Sequence, residues 1–99
     1  MEPLLTFQAF TQELNTKFHI PLDESQRVEL ELAEISELKE SPRNEEFSIV
    51  FRGPEEAFLG QGMRYFEHDQ LGKFELFIVP IRHDDKGYYY EAVFNRFRE

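Results

Sequence analysis

Two short clusters set an imidazole beside carboxylates, Glu67-His68-Asp69 and His83-Asp84-Asp85, and such sets can ligate a metal or move protons. Between them lies an alternating run, Lys73 to Arg82. Extended at about 3.3 Å per residue, it would hold the clusters roughly 30 Å apart, at opposite ends of a sheet. One ion cannot bridge that distance. Each cluster instead opens the pattern His-Asp-x-x-Gly, in which the aspartate bonds backbone amides ahead and the glycine takes a left-handed position. Both are therefore expected to be hairpin turns with solvated histidines. His19, between apolar neighbours, is read as structural. Ser25, Ser36, Ser41 and Ser48 lack a Gly-x-Ser-x-Gly frame. Gly60-Gln61-Gly62 lacks the third glycine of a dinucleotide loop, and Gly72-Lys73 is no phosphate loop because Glu67 and Phe74 stand at its defining positions. Glu29 and Glu31 follow from alternation on an exposed strand face and need no glycosidase chemistry. No catalytic residue, metal site or cofactor is expected, and the chain reads as a non-enzyme.

The elements that carry these residues are mostly strands. Thr6 suits an N-cap for a short helix over 7–14, with Phe7, Phe10 and Leu14 sharing one face. From Lys17 the period becomes two. Phe18, Ile20 and Leu22 mark a first strand, in which Pro21 favours an edge or bulge. Val28, Leu30 and Leu32 mark a second, whose apolar phase slips to Ile35 and Leu38, so a bulge is expected near Ala33-Glu34. A helix over 28–38 competes on propensity, and the alternation favours the strand. Residues 39–46 read as a loop. Phe47 to Arg52, Met63 to His68, Lys73 to Arg82 and Tyr88 to Phe97 complete six strands in meander-like order, the fifth of them apolar on both faces and hence central. The expected fold is α+β and mainly β: a short N-terminal helix and about six antiparallel strands in a strongly bent sheet or small barrel.

Composition narrows the function. The chain has 99 residues, 40% of them hydrophobic, which suits one domain over 1–99 with a core built from 11 phenylalanines and 4 tyrosines. A net charge of −9 opposes nucleic acid and anionic lipid. There is no cysteine, and no run of apolar residues is long enough to span a membrane. The start, Met1-Glu2-Pro3-Leu4-Leu5, lacks a basic leader region, so a cytoplasmic location is expected. Nine of the 20 acidic residues but only three of the 11 basic ones fall between Asp23 and Glu46. That asymmetry could steer a basic partner. Of Tyr88-Tyr89-Tyr90, at least one must point outward; Tyr89 lies in the alternate phase, and Arg96 and Arg98 lie nearby in sequence.

Phe47-Ser48-Ile49-Val50-Phe51-Arg52-Gly53-Pro54, Leu59-Gly60-Gln61-Gly62, Glu67-His68, Leu71-Gly72, Leu76-Phe77-Ile78-Val79-Pro80 and Tyr90-Glu91-Ala92-Val93-Phe94-Asn95 are the blocks that carry a likeness covering nearly the whole chain. Their string resembles a family of small uncharacterised bacterial domains with Phe-Ser-Leu-Val-Phe-Arg-Gly-Pro, Gln-Gly-x-Tyr-x-x-Glu-His and Tyr-Glu-Ala-Val-Phe-Asn segments. Ile49 and the block Met63-Arg64-Tyr65 depart slightly from that pattern. The resemblance implies no established activity; it suggests an accessory piece of a phage-tail-like system. Arg52, Gln61, His68 and Asn95 are its polar members, and with Tyr89 they form the candidate binding set. The resulting expectation is a non-enzymatic interaction or assembly module with a protein partner and a possible homo-oligomer. The alternative is a small-molecule-binding barrel whose mouth uses Arg52 and the 54–61 loop.

Overall fold

Thr6 caps the helix as its position suggests, its hydroxyl accepting the Ala9 N–H at 3.0 Å. In the computed structural model, which describes residues 5–97 (backbone alone at Arg96 and Phe97), α1 runs Phe7–Gln12. Residues 1–4, read above for a leader, and Arg98 lie outside the described residues. The helix is shorter than expected. Asn15 adopts φ 71° and donates its N–H to the Leu32 carbonyl at 2.8 Å, and the Leu32 N–H donates to the Thr16 carbonyl at 3.1 Å. Tertiary hydrogen bonds thus replace a further helical turn, and Leu14 is left exposed instead of sharing the apolar face.

Seven strands follow: β1 Lys17–Pro21, β2 Arg27–Ile35, β3 Lys39–Ser41, β4 Asn44–Gly53, β5 Gly62–His68, β6 Gly72–Asp84 and β7 Gly87–Phe97. The bulge lies where the phase slip put it, between Leu32 and Glu34 in the β2–β4 register. The segment 39–46 is not a loop. Lys39–Ser41 pairs with Asn44–Glu46 around a two-residue Pro42-Arg43 turn, and the β3 residues are exposed, so the hairpin carries no hydrophobic period to read.

All pairings are antiparallel, in the order β2-β1-β5-β6-β7-β4-β3, and β2 also pairs with β4. Six strands thereby close into a barrel, with β3 extending beyond β4. The path is not a meander. β4 pairs along its whole length with β7, Asn44↔Phe97 to Gly53↔Tyr88, so the connection 54–61 must cross a barrel end to reach β5. Pro21 ends β1 beyond the single β1–β5 bridge, His19↔Glu67, where its missing N–H costs no rung.

Inward residues fill the cylinder: Phe18, Ile20, Leu30, Phe51, Phe66, Ile78 and Tyr90 are all essentially inaccessible. Each contributes about 1.5–3 kcal/mol of apolar burial. At one end β6 and β7 stop pairing beyond Val79↔Glu91, and α1 fills the gap, with Phe10 5.2 Å from Phe94 and 6.3 Å from Phe74. At the other end Leu59, dropped in by the crossing loop, is buried, and its N–H donates to the Tyr90 hydroxyl at 2.9 Å. Phe10 and Leu59 thus cover the two ends of the barrel.

Candidate functional site

The two His-Asp-x-x-Gly turns sit at opposite ends of β6, as the extended run between them requires. They are not alike. At the second, a two-residue loop, Asp84 Oδ1 accepts the Lys86 N–H at 2.8 Å, and that bond first, with help from the Tyr89 hydroxyl, holds its carboxyl below the usual range. At the first, a three-residue loop, the acceptor is the imidazole. His68 Nδ1 accepts the Gln70 and Leu71 N–H groups, each at 3.1 Å, and leaves Asp69 exposed. Its proton must then sit on Nε2, which donates to Thr16 Oγ1 at 2.9 Å, while the Thr16 hydroxyl donates to the Glu13 carbonyl at 2.7 Å. The ring lies 4.1 Å from Phe18. Contrary to the expectation of solvated histidines, His68 is buried, and that burial pushes its pKa below the ordinary histidine range against the pull of Glu13 and Asp69. It organises a turn and a helix exit from inside the fold. His83 is exposed, its Nε2 2.9 Å from Glu55 Oε1 and its ring stacked on Tyr88.

Of the other candidates, Arg52 and Tyr89 face each other across the β4–β7 ladder. Register carries that row through five strands: Lys17, Glu31, Arg52, Tyr89 and Arg82. Glu31 Oε1 takes a hydrogen bond from Arg52 at 2.6 Å and from Lys17 at 3.3 Å. Arg82 lies 4.1 Å from the Tyr89 ring centre and hydrogen-bonds Glu34, which lifts its pKa above the usual guanidinium value. Tyr89 therefore points out of the barrel, as its phase predicts, but is only 6% exposed beneath this charged cover. Gln61 and Asn95 are exposed, Gln61 on the crossing loop and Asn95 opposite Glu46 on the far half of β7. The five do not converge. The side chain of Arg96 and all of Arg98 lie outside the described residues.

The structure displays instead a wall that sequence reasoning passed over. On the outer face of β5 and β6, Met63 is 57%, Tyr65 62% and Phe77 48% exposed, with Met63 and Phe77 directly paired. Ile81 and Val93 are exposed on the same side of β6 and β7. β6 is central, yet its second apolar face is uncovered. That unexplained second face was the available signal, since apolar residues on both sides of a strand demand a cover on each. Elsewhere the surface carries open grooves, one of about 340 Å³ lined by Lys17, Arg27, Glu29, Glu31, Arg52 and Lys86 among others. Among the described residues no three or more His, Asp or Glu side chains are grouped to hold a metal ion, and no helix is long and apolar enough to cross a membrane.

No curated protein and no solved structure matches the chain. A family model does, over residues 5–94, which takes in the helix, the crossing loop, β1 to β6 and β7 as far as Phe94. On that coverage the chain belongs to the family described as DUF6916, a domain of unknown function.

Proposed function

We propose that this domain is a non-enzymatic protein-interaction module, acting in the cytoplasm as one component of a larger assembly such as a phage-tail-like system. The observation that carries this reading is the exposed Met63, Tyr65 and Phe77 set on a rigid sheet wall. The Tyr65 and Phe77 rings, held on a fixed backbone, lose little conformational freedom on docking, Met63 adds an adaptable apolar contact, and all three are types enriched at interface centres. Glu67, Lys73 and Glu75 border them on the same strands and supply a polar rim. The acidic charge of the whole chain, −9, speeds the approach of a basic partner and weakens with salt.

The test is affinity capture followed by mass spectrometry, run in parallel with wild type and with Tyr65→Ala/Phe77→Ala. Both side chains are exposed, so the double variant should melt within about 0.5 kcal/mol of wild type. A partner retained by wild type and lost by the variant supports the module. Equal retention, or none at low and high salt, refutes it. If the captured partner is a second copy, the mass in solution from sedimentation will fall from dimer to monomer in the same variant.

A further inference from the structure

The β2–β4 ladder stops early, and it stops for a covalent reason. Glu31 to Ile35 of β2 pair with β4, whereas Arg27 to Leu30 pair with β1 alone. The Leu22 N–H donates to the Gln26 carbonyl, and Leu32 exchanges backbone bonds with Asn15 and Thr16, which fixes the alternation. Even-numbered residues of β2 turn their N–H and C=O toward β1, and Arg27, Glu29 and Glu31 turn theirs away. After Glu31↔Arg52, the next hydrogen-bonding rung would set Glu29 opposite Pro54. Pro54 has no N–H to give, and the chain departs there into the crossing loop. Arg27 and Glu29 keep backbone groups without a backbone partner on that side among the described residues.

The groove of about 340 Å³ runs beside this free edge. Four of the chain's 11 basic residues line it, Lys17, Arg27, Arg52 and Lys86, on a protein of net charge −9. Glu31 fixes Lys17 and Arg52 in place, and the Glu29 carboxylate is engaged by His19 Nε2 at 3.2 Å. Arg27 and Lys86 are exposed and have no ion-pair partner among the described residues. We propose that an extended acidic segment of a partner protein binds here as an added strand on Arg27 and Glu29, its alternate carboxylates meeting Arg27, Arg52 and Lys86. The surrounding acidity repels a broad anionic surface such as nucleic acid, so a narrow segment is the occupant that fits. The inference shares with the proposed function the idea of a binding module, but it uses a different face, and the two fail separately.

Fluorescence anisotropy with a labelled hexapeptide alternating Glu and Val tests it, alongside its Lys-for-Glu counterpart, a version N-methylated at alternate residues, and succinate as a bare dicarboxylate. Saturable binding of the Glu peptide below about 1 mM is expected, weakened roughly tenfold by Arg27→Glu/Lys86→Glu and unchanged by Tyr65→Ala/Phe77→Ala. Amide resonances of Arg27 and Glu29 should shift on titration. The Lys peptide and the N-methylated peptide should not bind. No binding of the Glu peptide overturns the proposal. So does equal binding of the N-methylated peptide, or displacement by succinate at matched concentration, since either outcome would mean adherence of anions without strand addition.

Discussion

His68 holds a turn from within the core, and replacing it separates its acceptor role from its bulk. His68→Phe keeps a ring against Phe18 but removes the acceptor for Gln70 and Leu71 and the donor to Thr16. Each lost bond is worth about 1 kcal/mol net, so the variant should lose about 3 kcal/mol. For a domain of this length that is a fall in Tm of roughly 12–24 °C. His68→Asn makes the complementary change, because its side-chain oxygen lies near the place of Nδ1 and can take both amides while the ring contact is lost. Thermal and urea melts give the free energies, and amide hydrogen exchange gives the mechanism. Gln70 and Leu71 should exchange slowly in wild type and in the Asn variant, and fast in the Phe variant. A Phe variant as stable as wild type, with both amides still protected, would refute the reasoning.

The remaining expectations are simpler. Because burial lowers the pKa of His68 in the folded state, its contribution is complete above the ordinary histidine pKa and is lost as pH falls through the lower folded value; urea melts from pH 7 downward should show this slope in wild type and a shallower one in His68→Phe. A methyl at Gly53 would lie 2.5 Å from a Leu30 methyl, so Gly53→Ala should cost about 1–3 kcal/mol in a chemical melt. Gly87→Ala should be worse, since its new carbon would overlap the Gly53 carbonyl at φ 132°, a conformation that side chains avoid. Tyr90→Phe leaves the Leu59 N–H buried without an acceptor, about 1–3 kcal/mol, and the Leu59 amide should lose its exchange protection before the rest of the core does.

Most of the strands were legible because one face of each is buried, and burial imprints a period of two. The bulge at Ala33-Glu34 was legible for the same reason, as a slip in that period. The β3 hairpin was not, because exposed strands carry no hydrophobic phase. The closure order was hidden as well, since alternation records which way a side chain points and says nothing of which strand lies alongside. Tyr89 shows a subtler failure. Its outward direction follows from phase, but its burial depends on Arg82, which a bulge between Pro80 and Arg82 brings onto the ring. Nothing local to Tyr89 encodes that. Within the candidate set, His68 was found for its type and assigned the wrong environment, because the Thr16 and Phe18 that enclose it lie about fifty residues earlier in the chain.

The ten-rung seam between β4 and β7 also governs how the protein is made. β4 must wait for β7 to be translated before its second edge is covered, and until then a nascent chain leaving the ribosome displays Phe47, Ile49 and Phe51 beside unpaired amides. The hairpins β1–β2, β3–β4 and β5–β6 can form from local contacts, but the barrel cannot close until β7 has emerged. A chain interrupted anywhere before Tyr88 would therefore keep the inner face of β4 bare along one edge, a sticky ribbon in place of a closed cylinder.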